Sequence, residues 1–256
     1  MLRARMIEVR HLTKRYRDLT AVDDLSFTVG RGEVVGLLGP NGAGKTTTLR
    51  VIAGCLPATS GEVRVDGRDV FEEPLEAKRR VGYLPETPPV HDGLTVRGYL
   101  RFVAELKGLS RARAAAEVER VAALAGCGET LGRLAGNLSK GHLQRVGIAQ
   151  ALVGDPPVLL LDEPTVGLDP LQVREVRALL RSLAGRHAVL LSTHVLPEVA
   201  LTCEKVLVLR EGRLAGFDTL DGLVARHLPG RRVALDDVAF LEEIYARMLG
   251  APEGRA

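Results

Sequence analysis

A glycine-rich loop that follows a short apolar run constrains the fold of this chain more than any other feature. The run is Val34-Val35-Gly36-Leu37-Leu38, the loop reads G-x-x-x-x-G-K-T, and the residues after it have helical character. Glycines let the backbone curl so that successive N–H groups point inward, and a following helix adds its positive N-terminal end. The pattern predicts a phosphate-binding loop formed by Gly39, Pro40, Asn41, Gly42, Ala43, Gly44, Lys45 and Thr46, with Thr47 as a further contact.

Two residues at the end of this loop have predicted roles toward a nucleotide. Lys45 is expected to reach the β- and γ-phosphates, and the hydroxyl of Thr46 is expected to bind Mg²⁺. The loop alone leaves kinases, GTPases, helicases and transport ATPases open. A GTPase is disfavoured because guanine recognition uses Asn-Lys-x-Asp, whereas the asparagines of this chain are Asn41 and Asn137.

Two adjacent carboxylates end a second apolar run in the C-terminal half of the chain. The run is Val158-Leu159-Leu160-Leu161, and Asp162-Glu163 follows it directly. Ligands of open α/β sheets bind at the carboxyl ends of the strands. The sequence therefore predicts that Asp162 holds Mg²⁺, and that Glu163 is the general base or orients the water that attacks the γ-phosphate.

The composition disfavours several other kinds of protein. With a net charge of +3 in 256 residues, nothing requires nucleic acid as a main partner, and none is expected. The widely spaced Cys55, Cys127 and Cys203 favour a reducing compartment, where they would be buried, over a disulfide or zinc framework. No apolar segment is long enough for a secretory signal or a membrane span, so the sequence predicts a soluble cytoplasmic chain.

The order of the periodic segments predicts an α/β fold. Strand-like alternation between residues 6 and 30 and around 62–67 precedes a helical block, and residues 158–209 then alternate between strands and helices. That alternation favours a parallel sheet. In the helical block the predicted apolar stripe comprises Leu94, Val96, Tyr99, Leu100, Val103 and Leu106, and then Val118, Val121 and Leu124. The predicted organisation is a parallel-sheet core of residues 1–84 and 155–230 with an antiparallel β subdomain, an inserted α-helical subdomain of residues 85–154, and a C-terminal extension of residues 231–256.

A segment that begins at Leu138 resembles the signature motif of the ATP-binding cassette (ABC) ATPases. It reads Leu-Ser-Lys-Gly-His-Leu-Gln-Arg, and the family motif is usually written LSGGQ and followed by Gln-Arg. Ser139 and Gly141 match the motif, whereas Lys140 replaces its first glycine and His142 replaces its glutamine. Because Ser139 can cap a helix and Gly141 permits close approach, this helix start is predicted to bind an anion. By the resemblance, that anion is the γ-phosphate of an ATP held by the phosphate-binding loop of another subunit.

The resemblance covers about residues 5–220 and implies a P-loop NTPase fold of ABC type with roles for four more residues. It places Tyr16 against the adenine ring and Glu86 at Mg²⁺ or its water, in a position where glutamine is commoner. It also places Asp169 in the loop that crosses a dimer interface, and it makes His194 the switch that senses the γ-phosphate.

The resemblance also implies partners and a location. Two nucleotide-binding domains of this family enclose two ATP molecules, so the chain is expected to form a homodimer or a heterodimer with a homologue. Separate integral-membrane permease subunits would hold it at the inner face of the cell membrane. Glu86, the Leu-Ser-Lys-Gly signature and the segment 241–245 resemble the bacterial exporter branch that includes drug-resistance and gliding-motility transporters. The alternatives are an importer ATPase or a soluble ABC ATPase without a role in transport.

Overall fold

The structure, a computed structural model, describes residues 4–227 and, near the C-terminus, Glu243, Tyr245, Arg247 and Met248. Most of the predicted C-terminal extension, residues 231–256, lies outside the described residues. The described strands are β1 (Arg5–Tyr16), β2 (Leu19–Gly30), β3 (Val34–Leu38), β4 (Ser60–Val65), β5 (Arg68–Asp69), β6 (Val81–Leu84), β7 (Val158–Asp162), β8 (Ala188–Thr193), β9 (Lys205–Arg210) and β10 (Arg213–Thr219). The described helices are α1 (Lys45–Ile52), α2 (Pro74–Arg79), α3 (Val96–Leu106), α4 (Arg111–Leu124), α5 (Lys140–Leu152), α6 (Pro170–Leu183), α7 (Leu196–Thr202) and α8 (Leu220–His227).

A six-stranded sheet forms the centre of the fold, in the order β10-β9-β3-β8-β7-β6. Strands β6, β7, β8, β3 and β9 run parallel, and β10 is an antiparallel edge strand. Every residue of β3, β7 and β8 is buried, as expected for parallel strands that are covered on both faces. The predicted parallel-sheet core is confirmed.

A second sheet is antiparallel and has the order β2-β1-β4-β5. Alternate residues of β2, such as Leu25, Phe27 and Val29, are buried, which is the period of a strand with one covered face. The turn at Asp66 and Gly67 joins β4 to β5 in an antiparallel hairpin. The antiparallel β portion expected from the sequence is therefore present.

The core lies on both faces of the central sheet. On one face Leu160 and Leu190 pack with the antiparallel sheet and α1, and on the other face Leu159 and Leu161 pack with α3, α4 and α5. Neighbouring residues of one strand enter different cores because side chains alternate across a sheet. The parallel register also places Asp162 opposite Ser192, so polar side chains of β7 and β8 meet where these strands end.

The predicted helical stripe is only partly right. Val96, Tyr99 and Leu100 of α3 are buried, but Leu94 and Leu106 are 38% and 70% exposed. Leu94 precedes the N-cap Thr95 and therefore lies outside the helix, while Leu106 is the last residue of α3. Leu124, the last residue of α4, is likewise 42% exposed.

The prediction that the cysteines are buried is wrong for one of the three. Cys127 is buried and Cys203 is half-buried, but Cys55 is exposed because it follows the end of α1. Burial raises the pKa of the Cys127 thiol to about 11 and that of Cys203 to about 12. The two covered thiols are therefore neutral and behave as small apolar groups.

Candidate functional site

An open cavity of about 570 Å³ lies beside the start of α1, near the carboxyl ends of β3, β7 and β8. Such a position is the usual ligand site of an open α/β sheet. The residues that line it are Tyr16, Leu19, Ala21, Asn41, Gly42, Ala43, Gly44, Lys45, Thr46, Thr47, Glu86, Glu163, Val166 and His194. The cavity brings together most residues that the sequence predicts to bind or hydrolyse a nucleotide.

The glycine-rich loop wraps one side of this cavity. Gly44 is the N-cap of α1 and has a φ of 100°, and a Cβ at this position would lie 2.4 Å from the carbonyl oxygen of Ala21. Gly42 also has a positive φ, of 82°. Only glycine adopts this backbone easily, so the loop can curl against β2 and leave the N-terminus of α1 facing the cavity.

Lys45 is the buried cation of the loop. Its ammonium donates hydrogen bonds to the carbonyl oxygens of Gly39 at 2.7 Å and Pro40 at 3.2 Å. Burial lowers the pKa of Lys45, and the nearby carboxylates of Glu163, Asp162 and Glu86 oppose that shift. A phosphate next to the ammonium would add negative charge and favour the protonated lysine further.

Asp162 lies beneath the cavity and is completely buried. Its Oδ1 accepts hydrogen bonds from Thr46 Oγ1 at 3.1 Å and from Ser192 Oγ at 2.6 Å. Its Oδ2 is buried and has no hydrogen-bond partner. A buried carboxylate oxygen without a donor is costly, and next to a threonine hydroxyl it is a suitable ligand for a hard cation.

Glu163 has an unusual backbone conformation that directs its carboxylate toward the cavity. Its φ is 49°, in the left-handed region, and its N–H is held by Ser192 Oγ at 2.9 Å. Both carboxylate oxygens lie 3.0 Å from His194 Nδ1, and Oε1 lies 4.0 Å from the ammonium of Lys45. The structure thus places the predicted base and the predicted switch histidine in direct contact. Strain of this kind persists where surrounding contacts hold it, often at functional sites.

Tyr16 stands at the edge of the cavity and is 40% exposed. The ammonium of Lys14, which is itself buried, lies 5.0 Å from the centre of the tyrosine ring. This cation–π contact steadies the ring at the end of β1. The ring can therefore offer a flat surface to a base.

Ser139, Gly141 and Asp169 do not line the cavity. Ser139 is the N-cap of α5 and accepts from the N–H of His142 at 3.4 Å, whereas Asp169 caps α6 and accepts from the N–H groups of Leu171 and Gln172. A Cβ on Gly141 would lie 2.5 Å from Gln172 Oε1, so the glycine permits close packing of α5 on the start of α6. Within one chain, these predicted residues form a second polar region apart from the loop.

Sequence reasoning missed several residues that hold the site together. Ser192 bridges Asp162 and the backbone of Glu163, and Gln144 Nε2 lies 3.4 Å from the carbonyl oxygen of Glu163. The buried carboxylate of Glu198 accepts from Thr165 Oγ1 at 2.7 Å and from Thr193 Oγ1 at 3.1 Å. The only sequence signal was the position of Ser192-Thr193 just before His194 at a strand end. Most of these contacts join residues that are 19 to 33 positions apart in the chain.

The comparisons with known proteins agree with this geometry. The family model described as ABC transporter matches residues 22–166. The chain belongs to the ABC transporter family. It is an ATP-binding and ATP-hydrolysing subunit.

Three related proteins illustrate the similarity to other ABC proteins. The Nod factor export ATP-binding protein I of Burkholderia lata is 39% identical over 81% of this chain and 68% of its own. A solved ATP-binding subunit of an ABC transporter superposes with a TM-score of 0.84 at 31% identity, covering 95% of this chain and 99% of that one. The dimeric ATP-binding cassette MJ0796, in a post-hydrolysis state bound to ADP and Pi, has a TM-score of 0.78 at 25% identity, covering 84% and 99%.

The described part of this ABC subunit contains neither a membrane-spanning helix nor a metal cluster made of protein ligands alone. No helix within it is both long and apolar enough to cross a membrane. Its described side chains also contain no group of three or more His, Cys, Asp and Glu residues arranged to hold a metal by themselves. Mg²⁺ bound with a nucleotide needs only one or two protein ligands, because phosphates and water supply the others.

Proposed function

We propose that this ABC subunit drives an exporter and that it hydrolyses ATP only as a dimer. The observation that carries this proposal is the division of the site into two regions. Lys45, Glu163 and His194 converge on the cavity, whereas Ser139 and Gly141 lie outside it. A partner's Ser139 region would complete each cavity, which agrees with the dimeric form of the related cassette MJ0796.

In the proposed complex, Thr46 and Asp162 would hold the Mg²⁺ that accompanies ATP, and Glu86 would lie near its water. The orphaned Oδ2 of Asp162 supports this assignment. Bound there, the ion would neutralise charge on the β- and γ-phosphate oxygens. A metal ion bound to Oδ2 would also remove the free-energy cost of leaving this buried oxygen unpaired.

The remaining residues of the cavity have separate roles in this proposal. The N–H groups of the glycine-rich loop bind the phosphates, together with Lys45, and Tyr16 stacks on adenine. Glu163 orients the attacking water and accepts its proton, while His194 holds the carboxylate through the 3.0 Å contact and faces the γ-phosphate. Asp169 lies at the dimer interface.

The proposed partners are a second copy of this chain or a homologous subunit, together with separate integral-membrane permease subunits. They would keep the protein on the cytoplasmic side of the membrane. We infer that residues 85–154 form the helical subdomain that meets the permease and that residues 231–256 form a C-terminal extension. The exporter assignment is supported by the similarity to the Nod factor export ATP-binding protein.

A hydrolysis-deficient variant tests the proposal. Glu163→Gln keeps the size of the side chain but removes the base, so it should abolish turnover while retaining ATP binding and should accumulate as a dimer with ATP. Size-exclusion chromatography with light scattering measures the dimer, and a second variant that also carries Ser139→Arg should remain monomeric with unchanged ATP affinity. Normal hydrolysis by Glu163→Gln, or an intact dimer with Ser139→Arg, would contradict the proposed mechanism.

The permease assignment needs a separate measurement. The tagged subunit should co-purify from detergent-solubilised membranes with an integral-membrane protein, and reconstituted vesicles should show ATP-dependent movement of substrate away from the side that holds the subunit. Movement toward that side would favour an importer, and purification without any membrane partner would favour a soluble ABC ATPase.

A further inference from the structure

The hydroxyl of Ser139 belongs to a chain of three polar side chains. Ser139 Oγ lies 2.8 Å from His142 Nδ1, and His142 Nε2 lies 3.3 Å from Glu129 Oε1. Glu129 belongs to a short 3-10 turn, Gly128–Thr130, that precedes α5. The imidazole is 31% exposed and the carboxylate is 76% exposed, so both side chains are accessible to water.

The carboxylate decides which nitrogen of the neutral ring carries the proton. An ionised Glu129 only accepts hydrogen bonds, so His142 Nε2 must be the donor. Nδ1 of the neutral ring is then an acceptor, and the hydrogen of the Ser139 hydroxyl points back to it. In this state Ser139 has no hydrogen to donate to a phosphate.

Protonation of the ring reverses this hydrogen bond. Both nitrogens then donate, and Ser139 Oγ accepts from Nδ1 as well as from the backbone N–H of His142. The hydroxyl hydrogen becomes available for an outside acceptor. The added positive charge at the start of α5 attracts the same anion, so both effects have the same sign.

We propose that His142 is a positioning residue that turns the Ser139 hydroxyl toward the γ-phosphate bound by the partner subunit. Because the protonated ring does this and the neutral ring does not, ATP-driven dimerisation should strengthen as the pH falls. The inference rests on the proposed function, in which Ser139 meets the nucleotide of the second subunit.

The other charged side chains near the His142 ring contact other parts of the chain, and Glu129 is the charged group that contacts the ring. Lys140, on the same helix, extends over the backbone of Gly167. Its Nζ lies 2.6 Å from the position that a Cβ on Gly167 would occupy. Arg145, one turn further along α5, forms an ion pair with Glu175 of α6. Among the described residues, Glu129 is the carboxylate that forms a hydrogen bond with the ring.

A glutamine at this position supplies a matched control. The family motif usually has glutamine where this chain has His142, and a glutamine side chain does not titrate. His142→Gln should therefore retain a dimer while losing the pH dependence that the imidazole supplies. Glu129→Gln, which changes an exposed side chain, no longer forces the proton of the neutral ring onto Nε2, so the pH dependence should become shallower.

The experiment uses the full chain with Glu163→Gln to prevent turnover. Sedimentation velocity with Mg²⁺ and ATP gives the dimerisation constant across the range of about pH 6 to 8, where histidine changes its charge. We expect dimerisation of this parent to be about tenfold stronger at the acidic end than at the basic end, because each dimer contains two copies of this site. His194 is present in every variant, so the difference between parent and His142→Gln isolates His142.

Each outcome of the experiment decides the question. A flat profile for His142→Gln beside a sloped parent supports the inference, and the same slope in both would overturn it. Equal weakening of the His142→Gln dimer at every pH would also overturn it, since that result describes a purely structural residue. If Ser139→Arg still dimerises, the proposed function fails; if Ser139→Arg is monomeric but the parent has no pH dependence, only this inference fails.

Discussion

Replacement of Lys107, at the end of α3, should change how the stability of this ABC subunit depends on pH. The ammonium donates to the carbonyl oxygen of Val81 at 3.1 Å, and the stem of the side chain lies against Gly154. Burial lowers the pKa of Lys107 from 10.5 to about 8, and the charge of Glu117 opposes the shift only in part. Between these two values the unfolded chain holds a proton that the folded protein lacks.

The magnitude follows from that difference in proton binding. Because the unfolded state binds more protons in this window, the free energy of unfolding rises with pH. The difference between the two pKa values corresponds to at most about 3 kcal/mol of unfolding free energy, of which about 2 kcal/mol is gained between about pH 7 and 9.5. Lys107 is partly accessible to water, which reduces the expected change to about 1–2 kcal/mol.

Equilibrium urea unfolding of the wild-type protein and of Lys107→Met, at about pH 7 and at about pH 9.5, measures this effect. The wild type should gain stability relative to the variant as the pH rises, because only the wild type loses the buried charge. Lys78→Met provides the control, since Lys78 on α2 is exposed and its replacement should leave a constant difference. Parallel stability curves for wild type and Lys107→Met would refute the reasoning.

Three other substitutions test the site and its scaffold. Ser192→Ala should cost about 1–3 kcal/mol of unfolding free energy and slow ATP hydrolysis, because it removes the hydrogen bonds to Asp162 and to the backbone of Glu163; full activity at wild-type stability would contradict this. Gly82→Ala should prevent stable folding, because its Cβ would lie 1.9 Å from the carbonyl oxygen of Ala151. Gly67→Ala is the control: its φ is 76° but the space around it is open, so it should cost only about 1 kcal/mol of unfolding free energy. Equal stability of the two variants in thermal denaturation would contradict this. Lys45→Ala should weaken ATP binding about tenfold or more by calorimetry, and unchanged affinity would count against its role.

Much of the fold could be predicted because the strongest patterns are local. The apolar runs that became β3 and β7 contain only buried residues, and α6 (Pro170–Leu183) lies in the segment predicted to alternate between strands and helices. Periodicity did not reveal which end of a stripe is covered, so Leu94 and Leu106 were wrongly placed in the core. Burial of those positions depends on where the helix stops and on what packs against it.

The sequence by itself was enough to predict a phosphate-binding loop, because its glycines and lysine act through consecutive backbone and side-chain groups. It also determined the carboxylate pair Asp162-Glu163, which ends a strand. Only the tertiary structure decided that Ser192 ties the two carboxylates together and that His194 meets Glu163 at 3.0 Å. It also decided that Ser139 lies outside the cavity. The physical reason is that these contacts join separate strands and helices, and their distances are set by sheet register and packing and not by spacing along the chain.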